Sequence, residues 1–120
     1  WAATPYQWAT AGYKGAVMSG KATCGVLFGA TIYLGYLNGI SATDPPRLKD
    51  RRRTRAIESV AELFNGFTKR FGDTDCRTLT GCDWSKKKDI KRFFKEEIYK
   101  ETCFHQFEYV IEKCLLGNTP

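Results

Sequence analysis

Five cysteines carry most of the chemistry available to this 120-residue chain: Cys24, Cys76, Cys82, Cys103 and Cys114. A thiolate attacks disulfides and binds soft metals, so thiol exchange and metal–sulfur coordination are the reactions to weigh. Five is odd, so intrachain pairing cannot be complete, and one thiol is left free, metal-bound or bridged to another chain. No two cysteines form C-x-x-C or C-x-x-C-H, which removes the usual signature of thioredoxin-like exchange and of covalent c-type haem attachment. Cys24 opens an apolar segment, Cys76 lies in a loop just after a helix, and Cys103 begins the last helix. A cysteine at a helix start feels the positive end, which is expected to lower its thiol pKa. Three such positions on separate elements could converge on one point. Equally, they could be buried small hydrophobes, as unpaired cysteines often are. The single histidine, His105, stands two residues past Cys103. That places it about 200° round a helix, so it is read as a surface residue. Ser-His-Asp hydrolysis has no support.

The elements that must position these cysteines are helical. Pro5, with Thr4 as cap, opens a short helix ending near Gly20, weakened by Gly12 and Gly15. Residues 22–40, ATCGVLFGATIYLGYLNGI, hold no charge. The stretch is long enough to span a bilayer, but four glycines and the polar Thr23, Thr31 and Asn38 dilute it. It is read as a central core helix, apolar on all sides, whose glycines let other backbones come close. Asp44-Pro45-Pro46 ends any helix. From Arg51 to Phe71 an amphipathic face follows, made of Ile57, Val60, Ala61, Phe64, Phe67 and Phe71, with Gly72 as the stop. Residues 72–85 read as a loop or a short turn of helix. Ser85 caps a helix over 86–100 bearing Ile90, Phe93, Phe94 and Ile98. Thr102 caps a last helix with Cys103, Phe107, Val110, Ile111 and Cys114 inward, closed by Gly117. No strand alternation appears. The expected fold is all-α: a single compact bundle of about five helices around a buried, glycine-containing central helix.

Composition agrees. Hydrophobic residues make up 42% of the chain, enough for a real core in one domain spanning 1–120, and argue against disorder. The net charge of +6 comes largely from RLKDRRRTR (47–55) and KKKDIKRFFK (86–95). These runs are solvated faces or a patch for an acidic partner, a nucleic acid or an anionic surface. Nothing base-reading accompanies them, so nucleic acid is not an expected partner. The chain begins at Trp1, without methionine, and is expected to lack an N-terminal portion.

Three blocks resemble a known family. GKATCGVLFGATIYLG, then FTKRFGDTDCRTLTG, then CFHQFEYVIEKC are similar to the C_GCAxxG_C_C family of redox-active proteins, over about Gly12 to Leu116. The same domain occurs in split-Soret cytochromes. The resemblance implies a periplasmic or exported protein, although a cytoplasmic one is not excluded. It also implies an iron–sulfur cluster held by three cysteines, expected to be 2Fe–2S rather than 4Fe–4S. Carried over by position, the ligands are Cys24, Cys76 and Cys103, with Gly25 and Gly29 matching family glycines. Cys82 and Cys114 fall at core positions and are read as packing. The family's usual first cysteine is not in this chain, and neither are the haem motifs of its cytochrome relatives. A fourth ligand is open: Cys82, His105, a small molecule or another chain. The resulting expectation is a redox or electron-transfer protein, more an electron carrier than an enzyme. Its expected partners are a redox partner protein and further copies of itself in a homo-oligomer, with no transmembrane span. The competing readings are a metal-free thiol–disulfide oxidoreductase and a disulfide-stapled structural subunit.

Overall fold

Helix formation follows the sequence signals closely where caps and periodicity agree. The computed structural model describes residues 5–116. Among these, the order is α1 (Pro5–Thr10), α2 (Tyr13–Met18), α3 (Gly25–Gly39), α4 (Arg51–Phe71), α5 (Cys76–Thr80), α6 (Lys87–Lys95), α7 (Ile98–Glu101) and α8 (Cys103–Leu116). No strand occurs among the described residues; one isolated antiparallel bridge joins Thr23 to Asp75. The fold is all-α and compact, as expected. No described helix is long and apolar enough to cross a membrane. The proposed Thr4 cap and Gly117 stop lie outside the described residues.

The longest helix, α4, starts at Asp50, whose carboxylate accepts the Arg52 backbone N–H at 2.9 Å and the Arg52 guanidinium at 2.6 Å. That capping pulls the Asp50 carboxyl down to about 2. It also offsets three arginines placed at the helix's positive end. Gly72 terminates α4 at φ 91°, a left-handed conformation that suits glycine.

The core lies between α3, α4 and α8. Leu27, Ala30 and Leu34 of α3 meet Leu63 and Phe67 of α4 and Val110 and Cys114 of α8, with Cys24 at one end. Leu27 and Phe67 are fully enclosed, and each such side chain stabilises the fold by roughly 1.5–3 kcal/mol. Around Phe67, the Phe71 and Tyr109 rings make tilted and edge contacts at 4.7 and 6.1 Å between centroids.

Four expectations change. First, α3 is not covered on all sides: Ile32, Tyr33, Tyr36 and Ile40 are exposed. The reason is supply, since α4 and α8 cover one side of it and α2 adds only the Tyr13 stack on Phe28. Nor do its glycines serve close backbone approach, because a Cβ at Gly29, Gly35 or Gly39 would meet nothing within 4 Å. Second, the inward stripe of α8 is rotated. Val110 and Cys114 are buried, but Phe107 and Ile111 face out, and polar Gln106 takes the buried place. Third, the α4 face turns to bury Leu63, leaving Ile57 exposed. Fourth, residues 86–100 form two helices: Glu97 adopts φ 53° and breaks the run between α6 and α7. Ser85 does not cap α6, because its hydroxyl donates to Asp83 instead, at 2.6 Å.

Candidate functional site

The bridge between Thr23 and Asp75 builds the site. Cys24 N–H donates to Thr74 O at 2.7 Å, and Cys76 N–H donates to Ala22 O at 2.8 Å. These bonds make Thr23 and Asp75 a non-hydrogen-bonded antiparallel pair, a register that puts residues 22, 24, 74 and 76 on one face. Cys24 and Cys76 are then diagonal neighbours, with Cα atoms about 7–8 Å apart. Each segment is held independently. The Tyr13 hydroxyl donates to Thr23 O while its ring stacks on Phe28 at 4.0 Å. Asp73 Oδ1 accepts the N–H groups of Thr74 and Asp75, and Asp75 caps α5 by accepting from Thr78 N–H at 2.9 Å.

Helix α8 supplies the third wall. Cys24 Sγ donates to Gln106 Oε1 at 3.8 Å. Gln106 is 3% exposed and stands three residues past Cys103, on the same helix face. The Cys103 Sγ lies 3.6 Å from the Thr102 hydroxyl, which itself donates to Ile98 O at 2.8 Å.

Burial dominates the electrostatics of Cys24 and Cys76. Burial pushes the Cys24 thiol up, against the lowering effect of the Val26 and Leu27 backbone N–H groups at the start of α3, and Cys103 adds to the rise. Cys76 is pushed up to about 11, by burial first and then by Cys24, with Cys103 contributing further. Tyr13 is raised by burial and then by Cys24 and Cys76. The expected thiolate-favouring effect of a helix start is therefore overturned at Cys24, where desolvation outweighs the Val26 and Leu27 N–H groups, and at Cys76 burial outweighs Trp84.

Trp84 completes the arrangement. Its indole Nε1–H is buried and has no partner at hydrogen-bonding geometry. It favours the charged form of the Cys76 thiol. A buried donor left without an acceptor costs about 1–3 kcal/mol, so its retention beside sulfur is chemically pointed.

Cys82 is almost fully buried beside this group. It donates to Thr80 O at 3.6 Å and receives the Arg92 guanidinium at 3.4 Å. Burial raises its pKa more than Arg92 lowers it, and Cys103 acts on it too. Cys114 lies in the core toward the far end of α8. Both agree with the packing role read from the sequence. His105 is exposed. No disulfide joins any two of the five cysteines. Among the described residues, no group of three or more His, Cys, Asp or Glu side chains, Cys24, Cys76 and Cys103 included, is placed to hold a metal ion.

Sequence reasoning missed Tyr13, Trp84 and Gln106. Gln106 could have been found: a polar residue three positions after a helix-opening cysteine shares its face. Trp84 and Tyr13 carry no such signal, because only the folded chain brings them to the sulfurs.

The architecture and this group of thiols define a small, cysteine-rich, all-helical protein. Residues 3–115 match the family described as "Putative redox-active protein (C_GCAxxG_C_C)", and the chain belongs to that family. No curated protein and no solved structure matches it.

Proposed function

We propose that this protein is an electron carrier whose centre is formed by Cys24, Cys76 and Cys103 holding an iron–sulfur cluster, 2Fe–2S in type. The reading is supported by membership of a family described as redox-active, by the main-chain pairing that sets Cys24 and Cys76 on one face, and by the Cys24 contact with Gln106, one helical turn past Cys103. Soft sulfur donors suit iron–sulfur clusters, and an N–H aimed at sulfur is a standard means of tuning them. The donor chemistry fits such a group. When bound, the cluster supplies a reversible one-electron couple.

The chain's own residues do the rest. Cys24, Cys76 and Cys103 must each release a proton to become ligands, and their enclosure makes that release costly for Cys24 and Cys76. Loading is therefore expected to strengthen as pH rises. Gln106 orients Cys24, and Trp84 favours negative charge at Cys76. Leu27, Phe67 and Val110 keep water from the inner side.

Iron and acid-labile sulfide analysis of anaerobically purified and reconstituted protein tests this. Both elements are expected, with a visible absorption band, and serine at positions 24, 76 or 103 should lower the iron content. Protein that holds neither iron nor sulfide overturns the reading.

A second reading has one specific observation in its favour. Thiol–disulfide exchange needs a close pair, and the Thr23–Asp75 bridge supplies one in Cys24 and Cys76. Their diagonal spacing exceeds what a relaxed disulfide allows, so oxidation requires backbone movement. A Cys24–Cys76 bridge in air-oxidised, metal-free protein, found by peptide mass mapping, would favour exchange.

Self-association is proposed through the apolar groove of about 520 Å³ between α3 and α8. It is lined by Gly25, Gly29, Tyr33, Phe107, Ile111 and Leu115 among others, and no charged residue lines it. Leu115→Glu should convert a dimer into a monomer, read by light scattering after size exclusion.

A further inference from the structure

Helix α6 presents a surface that the fold does not use. At 100° per residue, Phe94, Lys87, Lys91, Lys95 and Lys88 fall within an arc of about 120°. All five are exposed, while Phe93 on the opposite side is buried. The basic residues around this arc are already paired: Lys86 with Asp83, Arg92 with Asp89 and Glu96, and Lys100 with Glu97. Lys87, Lys88, Lys91 and Lys95 make no ion pair among the described residues. Two of them stand in the first turn of α6, where the helix end is itself positive. That placement costs helix stability and strengthens an outward positive field.

Inside the arc, Phe94 is 59% exposed. An exposed aromatic ringed by cations has the anatomy of an interface anchor. The surface also borders the thiol centre. Phe94 contacts Tyr99 at 6.2 Å between ring centroids, and Tyr99 contacts Phe104 at 5.5 Å. Phe104, next to Cys103, is exposed as well. On the other side, Phe93 packs on Trp84 at 4.7 Å between ring centroids.

We propose that the Lys87–Lys95 face of α6, anchored by Phe94, is the docking surface for an acidic electron-transfer protein. The proposal rests on the redox reading above and names the partner's chemistry. Charge complementarity favours a compact acidic patch over a polyanion. The basic arc is only nine residues long, about 13 Å. It ends against Glu96, Glu97 and Glu101, which would repel a continuing phosphate backbone. Docking here brings the partner to the edge of the centre at Cys103 and Cys76.

The test is calorimetric titration of the full chain, metal-free and loaded, with an acidic plant-type ferredoxin as probe. Poly(U) RNA and phosphatidylserine vesicles serve as comparison probes. The ferredoxin is expected to bind at about 20 mM salt and to weaken about tenfold or more at about 200 mM. Lys87→Glu/Lys91→Glu/Lys95→Glu and Phe94→Ser should each weaken it about tenfold, with far-ultraviolet circular dichroism unchanged, while the triple arginine variant keeps binding. The proposal is overturned if the ferredoxin does not bind, if charge reversal leaves its affinity unchanged, or if poly(U) or the vesicles bind the same lysines more tightly at equal salt. Iron content is measured on the same samples. Wild-type protein that holds iron but does not dock sinks this proposal alone, and wild-type protein that docks but takes up no iron on reconstitution sinks only the cluster.

Discussion

At Cys76 burial and the Trp84 indole act in opposite directions on the thiol, and burial prevails. The thiol is pushed up to about 11, so at neutral pH its thiolate fraction is about a hundredfold below that of a thiol at 9. Iodoacetamide labelling of metal-free protein, read by peptide mass, should show Cys76 reacting about a hundredfold more slowly than an unfolded control at pH 7, and faster as pH climbs toward 11. The same shift has a stability consequence. A thiol raised in the folded state keeps its proton where the unfolded chain has lost it. Stability from Cys24, Cys76, Cys82 and Cys114 is therefore full below the unfolded thiol value and falls as pH rises through it toward the folded values. Thermal unfolding followed from pH 8 to about 11 should show a progressive drop in midpoint, and alanine at Cys76 should flatten it. Trp84 gives a sharper residue-level test. Trp84→Phe removes a buried donor without an acceptor, so metal-free protein should lose little stability or gain up to about 1 kcal/mol. In loaded protein the reduction potential should fall, because a donor favouring the more negative state is gone. Opposite directions in the two measurements separate tuning from packing.

Elements show where sequence patterns sufficed. The apolar periodicity of α4 and its Gly72 stop were legible because helix period and left-handed glycine are local facts. The charge-free run became α3 for the same reason. Orientation was not legible: Ile57, Phe107 and Ile111 fit an apolar stripe yet face out, because the chain provides too few helices to cover every apolar face. The break at Glu97 was also hidden, since nothing in KEEIY marks a left-handed residue. Glu97→Gly should relieve that conformation and stabilise the protein by about 0.5–1 kcal/mol in chemical denaturation, less any loss of the exposed Lys100 pair. Two helix glycines should diverge. Gly29→Ala meets open space and should stabilise by about 0.5–1 kcal/mol. Gly66→Ala would drive its methyl into the Tyr109 hydroxyl and should destabilise by about 1–3 kcal/mol.

At the scale of the molecule, the class of fold and the identity of the three candidate ligands came from the sequence, the first by periodicity and the second by resemblance. Their mutual arrangement did not. It depends on residues 22–24 pairing with 74–76 across about fifty positions, and backbone pairing of that span leaves no periodic trace. The polar partners of the sulfurs, Gln106 and Trp84, belong to the same category. The two basic runs likewise looked alike in the sequence. Folded, Arg52 of the first is tied to Asp50 at the α4 cap, while four lysines of the second stay unpaired on α6.

The short clasp between Thr23 and Asp75 is made of main-chain groups alone. It spaces positions 24 and 76 whatever side chains they carry. The scaffold is thus separable from its cargo: serine, the near-isostere of cysteine, can be written into those two positions without unfastening the join. Such a frame can change its chemistry one letter at a time while its architecture stays put.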